Sequence, residues 1–335
     1  MSPIHGHMRC SRILGVNITK ASLSLRMVSL VGVLALFLPL SGCGSAPDRP
    51  AGRTEPSAKE LVDLSSRVLS YTATFRPDAP YTPPDGEQRE QLARAVGRLL
   101  TGDARTAEHL LAPIGLKVTR LTDTPSGRRY DEIAATGDGD SAHWGRLYLN
   151  ADSRVRWSAQ VPHPVSDRGT ERLGLRLLED NTGGALVLAG AHRRAGRTDA
   201  ADVAHREDSA FHAIVVELQK RGVPGVQLHG FAEEQGEDDE DDRYDAVLST
   251  GAVQSAPAEV VALADRFEAE GLRVCRGWSA RCRLEGRTNV QGKAAQRQHV
   301  TFVHLELAPS ARGTGRDADR AADGLAGLLT AWAQD

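Results

Sequence analysis

The stretch "WSAQVPHPVSDRGTERLGLRLLEDNTGGALVLAG", Trp157–Gly190, decides how the chain is read. Its first residues have strand character, "TERLGLRLLEDN" carries apolar residues at helical spacing, and "GALVLAG" has the length and composition of a buried strand. Strand, helix and strand in that order form the unit from which parallel sheets are built. Between the first strand and the helix stand His163, Asp167 and Glu171. One reading is a polar turn whose charges face water. The other is part of a ligand site, because such sheets bind ligands beyond the carboxyl ends of their strands.

The alternation continues outward from this unit. "SAFHAIVVELQKRG" reads as a helix and "GVQLHGF" as a strand, and "YDAVLSTG" follows as another strand. "PAEVVALADRFEAEG" is a helix, "LRVCRG" and "HVTFVHLELA" are strands, and "RDADRAADGLAGLLTAWAQ" is a closing helix. Upstream, residues 61–71 and 87–112 read as helices, the second stopped by Pro113 and Gly115. "GLKVTRLT", "RRYDEIAAT" and "WGRLYLN" are short alternating segments separated by turns. The chain is therefore expected to be α/β, with a mixed, largely parallel sheet, helices on both faces, and a small N-terminal α+β lobe. The expected organisation is residues 1–42 as a signal peptide, 43–60 as a flexible tether, 61–155 as an N-terminal helical and β lobe that is either separate or part of the same domain, and 156–335 as the main domain.

The signal expectation rests on Lys20 and Arg26 ahead of "MVSLVGVLALFLPL", an apolar run of signal-core length. It ends in "LSGC", which resembles the lipobox of bacterial lipoproteins and implies lipidation at Cys43. The tether "GSAPDRPAGRTEPSAKE" is rich in Pro, Gly and Ser. The protein is thus expected on the outer face of the cell membrane, held by its lipid. In that compartment Cys275 and Cys282, in "VCRGWSARC", read as a disulfide closing a small loop. A net charge of −3 and 4% aromatic residues argue against nucleic acid as a partner. The expected partners are a small-molecule or peptide-like substrate and the membrane, with no obligate protein partner. The acidic run "EEQGEDDEDDR", residues 233–243, reads as a solvated insertion.

Polar groups gather where strands end. His163 and Asp167 follow one strand, and His192, Arg193 and Arg194 follow another. His229 stands near the end of "GVQLHGF", and Glu306 sits inside an apolar strand. An unpaired buried carboxylate is costly, so Glu306 must meet an arginine, a metal or a cleft. His304, two residues before it, lies on the same strand face, and its bland reading is a surface residue. His212 reads as a core or capping histidine. A hydrolytic zinc site needs three nitrogen or oxygen ligands, a carboxylate for the water's proton and a cation for the oxyanion. The chain supplies His163, an acid, His229 and Glu306 in that order, with Arg193 or Arg194 between.

That order resembles the zinc carboxypeptidase-like metallohydrolases, especially the poly-γ-glutamate hydrolase-like and N-formylglutamate amidohydrolase-like branches. The motifs are "PHPVSD", "QLHG" and "FVHLELAPSAR", the last with its trailing Arg312, and the resemblance spans residues 155–315. It implies a phosphorylase/hydrolase-like fold and one zinc ion held by His163, Asp167 and His229, with Glu306 as general base. The family's first half is usually His-x-x-Glu, whereas this chain has His-x-x-x-Asp, so Glu171 stands as the alternative acid ligand. "RTNVQG" resembles the polar loop before the last strand and offers Asn289 for substrate. "DVAH" falls where carboxypeptidases grip the substrate carboxylate, although their Asn-Arg pair is missing. With His192, it makes Asp202 and His205 further substrate-binding candidates. Hydrolysis of an amide, peptide or N-acyl-amino-acid bond is the activity implied. The rivals are a non-catalytic binding or sensing lipoprotein and a metal-dependent ester or phosphoester hydrolase.

Overall fold

Side-chain alternation along the strands sets the architecture. In a computed structural model of the chain, which describes residues 53–232, 244–251, 253 and 255–334, the elements run as follows. The N-terminal part comprises β1 (Ala58–Val62), α1 (Leu64–Thr72), α2 (Gly86–Leu100), α3 (Ala104–Leu111), β2 (Leu116–Asp123), β3 (Arg129–Ala135) and β4 (Arg146–Asn150). Next come β5 (Trp157–Val161), α4 (Thr170–Asp180), β6 (Gly184–Leu188), α5 (Ala210–Lys220) and β7 (Gly225–Gly230). The chain closes with β8 (Ala246–Ser249), α6 (Ala258–Ala269), β9 (Val274–Arg276), α7 (Val290–Gln298), β10 (Phe302–Leu307) and α8 (Arg316–Gln334). All ten strands join one sheet in the order β1-β2-β3-β4-β6-β5-β7-β10-β8-β9.

The sheet is mixed. β6, β5, β7 and β10 run parallel at its centre, and antiparallel pairings join β2 to β3, β3 to β4, β4 to β6 and β10 to β8. Helices cover both faces. Leu186 and Leu188 of β6 pack with α1, α4, α6 and α8, while Ala185 and Val187 pack with α2, α3 and α5. Burial on both faces explains why β6 reads as one unbroken apolar run. Gly174 lets α4 lie close to the sheet, since a Cβ there would fall 2.8 Å from Val161 Cγ2 and 2.9 Å from Leu186 Cδ1.

On β5, β7 and β10 the two faces differ in chemistry. Ala159, Val161, Val226, Leu228, Val303 and Leu305 enter the apolar core. The alternate residues Ser158, Gln160, Gln227, His229, His304 and Glu306 are all buried on the other side. A polar layer of this kind needs partners within itself. Gln160 donates to Ser158 Oγ (3.1 Å) and Gln227 donates to Gln160 Oε1 (3.2 Å). The centre of the sheet is thus greasy beneath and polar above, and the polar layer leads to the carboxyl ends of the parallel strands.

Three local expectations need correction. Residues 58–60, expected in the tether, belong to β1, an edge strand whose parallel pairing with β2 compensates for a side-chain pattern with no buried position. The expected helix over 61–71 begins only at Leu64, where the Asp63 side chain accepts from Ser66 N and caps it. The expected helix over 87–112 is two helices, because Asp103 caps a new start by accepting from Thr106 N. Residues 61–155 contribute β2, β3 and β4 to the same sheet as the main domain. Among the described residues no helix is long and apolar enough to cross a membrane. The expected signal peptide, Cys43 and the acidic run 233–243 lie outside the described residues.

Candidate metal centre and cavity

The parallel run of β5, β6, β7 and β10 brings four carboxyl ends to one edge. His163 lies two residues past β5, His229 near the end of β7 and Glu306 near the end of β10, in register with His229. The loop after β5 turns back on itself, with Asp167 N donating to His163 O (2.9 Å). That return puts the Asp167 carboxylate between two rings: Oδ2 is 3.1 Å from His163 Nδ1 and 3.3 Å from His229 Nδ1. All three residues are buried, and one ligand atom of each lies within 4.8 Å of the others.

The far side of each ring is also fixed. His163 Nε2 is 2.7 Å from Asp202 Oδ1, and His229 Nε2 is 2.8 Å from Gln227 Oε1. The Gln227 amide nitrogen is turned toward Gln160 Oε1 and Gln291 Oε1, leaving its oxygen to accept from His229. Each ring therefore meets an oxygen acceptor at both nitrogens, and with its proton on Nε2 each would turn an Nδ1 lone pair toward the Asp167 carboxylate. Three lone-pair donors in a buried space require a cation among them, either a proton or a metal ion. Two imidazole nitrogens and one carboxylate oxygen, each ring steadied through its second nitrogen, fit a divalent ion of borderline softness. The residues present therefore suit a metal.

The charge balance follows from the same contacts. Burial works against charging His163, but hydrogen bonds to the Asp167 and Asp202 carboxylates outweigh it and raise its pKa. Burial also opposes ionisation of Asp167, yet the His163 and His229 rings hold it well below the carboxylate range. Burial pushes His229 down to about 4. Glu306 is pushed up to about 8 by burial and by the neighbouring Asp167 charge. His304 Nε2 lies 4.0 Å from Glu306 Oε1, and the charges of His163, Arg193 and Arg312 partly offset the upward shift.

A cavity of about 430 Å³ opens beside these groups, lined by His163, His229, His304, Glu306, Arg193 and the segment 281–289 among others. Arg193 Nη2 is held at 2.8 Å by Asp202 Oδ2, which His205 Nδ1 also approaches at 3.3 Å. Asp202, expected to contact substrate, is instead turned toward His163 and Arg193. His205 and Arg193 do line the cavity. Arg194 is exposed and away from the cavity lining, and His192 accepts from its backbone nitrogen (3.2 Å). Glu171 lies outside the converging donors: its carboxylate accepts from Val165 N (3.4 Å) and closes the loop behind Asp167.

Asn289 is likewise turned inward. Its Oδ1 accepts from Gly292 N and caps α7, and its Nδ2 donates to Gln227 Oε1. The segment read as a polar loop is therefore the start of a helix. Arg312 is buried, with Nε on the carbonyl of Arg168 (2.7 Å) and Nη1 on those of Phe231 (2.8 Å) and Leu307. It clamps the loops around the site rather than facing the cavity. Cys275 and Cys282 are disulfide-bonded. His304, read as a surface residue, is buried and stacked on His229, with ring centroids 4.5 Å apart.

No protein-family model matches the chain, and no curated protein matches it. Solved structures similar to it include an N-formylglutamate amidohydrolase from Ralstonia eutropha JMP134, at 14% identity and TM-score 0.39, over 56% of this chain and 96% of that one. A metallo-carboxypeptidase from Burkholderia cenocepacia is similar at 14% identity and TM-score 0.33, over 76% of this chain and 70% of that one. A succinylglutamate desuccinylase from Silicibacter sp. TM1040 shows 13% identity and TM-score 0.37, over 61% of this chain and 66% of that one.

Proposed function

We propose that the protein is a zinc-dependent hydrolase of an amide, peptide or N-acyl-amino-acid bond. The observation that carries this reading is the convergence of His163 Nδ1, Asp167 Oδ2 and His229 Nδ1 beside a cavity that also exposes Glu306. Zinc in such a site would polarise the scissile carbonyl and ease ionisation of the attacking water. His163, Asp167 and His229 are the residues that would hold it.

The chain's own residues supply the proton and charge handling. Glu306 accepts the proton of the attacking water on its carboxylate and delivers it to the leaving nitrogen. Burial and the Asp167 charge raise its pKa to about 8, which favours the form that holds the proton to be delivered to the leaving nitrogen. Arg193, fixed by Asp202, is the cation on the cavity wall that would face the developing oxyanion. Gln227 and Asp202 keep the ligand rings in the tautomer that binds metal.

The same proposal places the enzyme outside the cytoplasm, anchored by a lipid on Cys43. Its support is the apolar run ending in "LSGC" and a disulfide of the kind that persists in oxidising compartments. The test is metal analysis of the purified protein together with a panel of N-acyl-amino-acid, peptide, ester and phosphoester substrates. One zinc per chain with amide hydrolysis, both lost in His229→Ala, is the expected result. Zinc retained by His229→Ala, or turnover confined to phosphoesters, contradicts it.

A further inference from the structure

One wall of the cavity meets the candidate metal site through contacts that the proposed chemistry does not use. Cys282 lines the cavity and is bonded to Cys275 in β9. Its backbone nitrogen donates to Glu285 Oε1 (2.7 Å), and Arg287 Nε donates to the other carboxylate oxygen. The Glu285 carbonyl accepts from Ser249 Oγ (2.5 Å) at the end of β8. Glu285 is buried, so charge-assisted hydrogen bonds fix the segment there.

The next residue, Gly286, lies against the His304 ring. A Cβ at position 286 would fall 2.5 Å from His304 Cγ and 2.6 Å from Nε2, and φ is +63° there. His304 also stacks on His229, with the planes 29° apart. His304 Nδ1 is buried and has no hydrogen-bond partner among the described residues. Packing between Gly286 and His229 therefore holds this ring, where a hydrogen bond from Nδ1 would ordinarily do so. Gln227 restrains one edge of His229, and His304 restrains one face.

We infer that His304 is a positioning residue that couples the disulfide-closed segment to His229, so that the Cys275–Cys282 bond sets the metal affinity of the site. The inference rests on the reading of His163, Asp167 and His229 as metal ligands. The physical reason is that metal affinity depends on ring orientation, which a displaced neighbour on the ring face changes. Moving the segment moves Gly286, which moves His304 and then His229.

The test uses the full chain with Co²⁺ as probe, read by its visible absorption spectrum and by competition against a chelator. Wild type should bind one Co²⁺ per chain, and His163→Ala should bind none. Gly286→Ala and the double variant Cys275→Ala/Cys282→Ala should each bind about 10- to 100-fold more weakly, with a shifted ligand-field spectrum. The double variant keeps the test open should the strained alanine at position 286 prevent folding. Wild-type affinity and spectrum in a folded double variant would overturn the coupling while leaving the metal site standing. Wild type that binds no Co²⁺, or His163→Ala that binds it normally, would overturn both.

Discussion

His163 Nε2 lies 2.7 Å from Asp202 Oδ1, although the two residues are 39 positions apart in the chain. In the proposed chemistry Asp202 is not a ligand but accepts at His163 Nε2, which would leave Nδ1 for the metal. Asp202→Ala should leave the fold intact and weaken metal binding by about 10- to 100-fold. The measurement is zinc competition against a chelating dye. Affinity equal to wild type would show that the His163 tautomer is fixed by something else.

Glu306 is the reacting acid–base in the proposed chemistry and is not a member of the His163, Asp167 and His229 set. Glu306→Gln is nearly isosteric and should retain the bound metal while lowering kcat by about 10²- to 10⁴-fold. Paired metal analysis and steady-state kinetics on the same preparation check this. Loss of metal together with activity would make Glu306 a ligand instead.

His212, at the start of α5, tests the electrostatics away from the site. Burial holds its pKa down to about 4, against 6.5 for the free side chain. Between those values the unfolded chain takes up a proton that the folded chain refuses. Stability should therefore rise with pH across that window and be fully in place above 6.5. The contribution is at most about 3 kcal/mol. Denaturant melts at pH 4.5 and 7 should show a smaller difference in His212→Gln than in wild type. An unchanged difference would mean that His212 is protonated in the fold.

Much of this was legible in the sequence, for physical reasons. β6 and β7 announce themselves as apolar runs, and His163, His229 and Glu306 stand out because a polar group at a parallel strand's end has few structural uses. Asp167 was distinguishable from Glu171 by its one-turn distance from His163. Gln227 was hidden, because a neutral amide inside "GVQLHGF" reads as a break in a pattern and its value lies in a partner two residues on. Asp202 was visible as an acid but not as a support for His163, a pairing created by the tertiary structure. His304 was missed because alternation assigns it to a face without saying whether that face meets water. β1 was hidden because an edge strand is held by backbone pairing, which leaves no side-chain signature.

The central claim is that His163, Asp167 and His229 hold one metal ion. Anomalous diffraction at the zinc edge from crystals of the purified protein tests it most directly. The account predicts a single strong peak at about 2.0–2.2 Å from His163 Nδ1, His229 Nδ1 and an Asp167 oxygen. A peak bound elsewhere, or no peak from zinc-saturated protein with both rings in place, would contradict it.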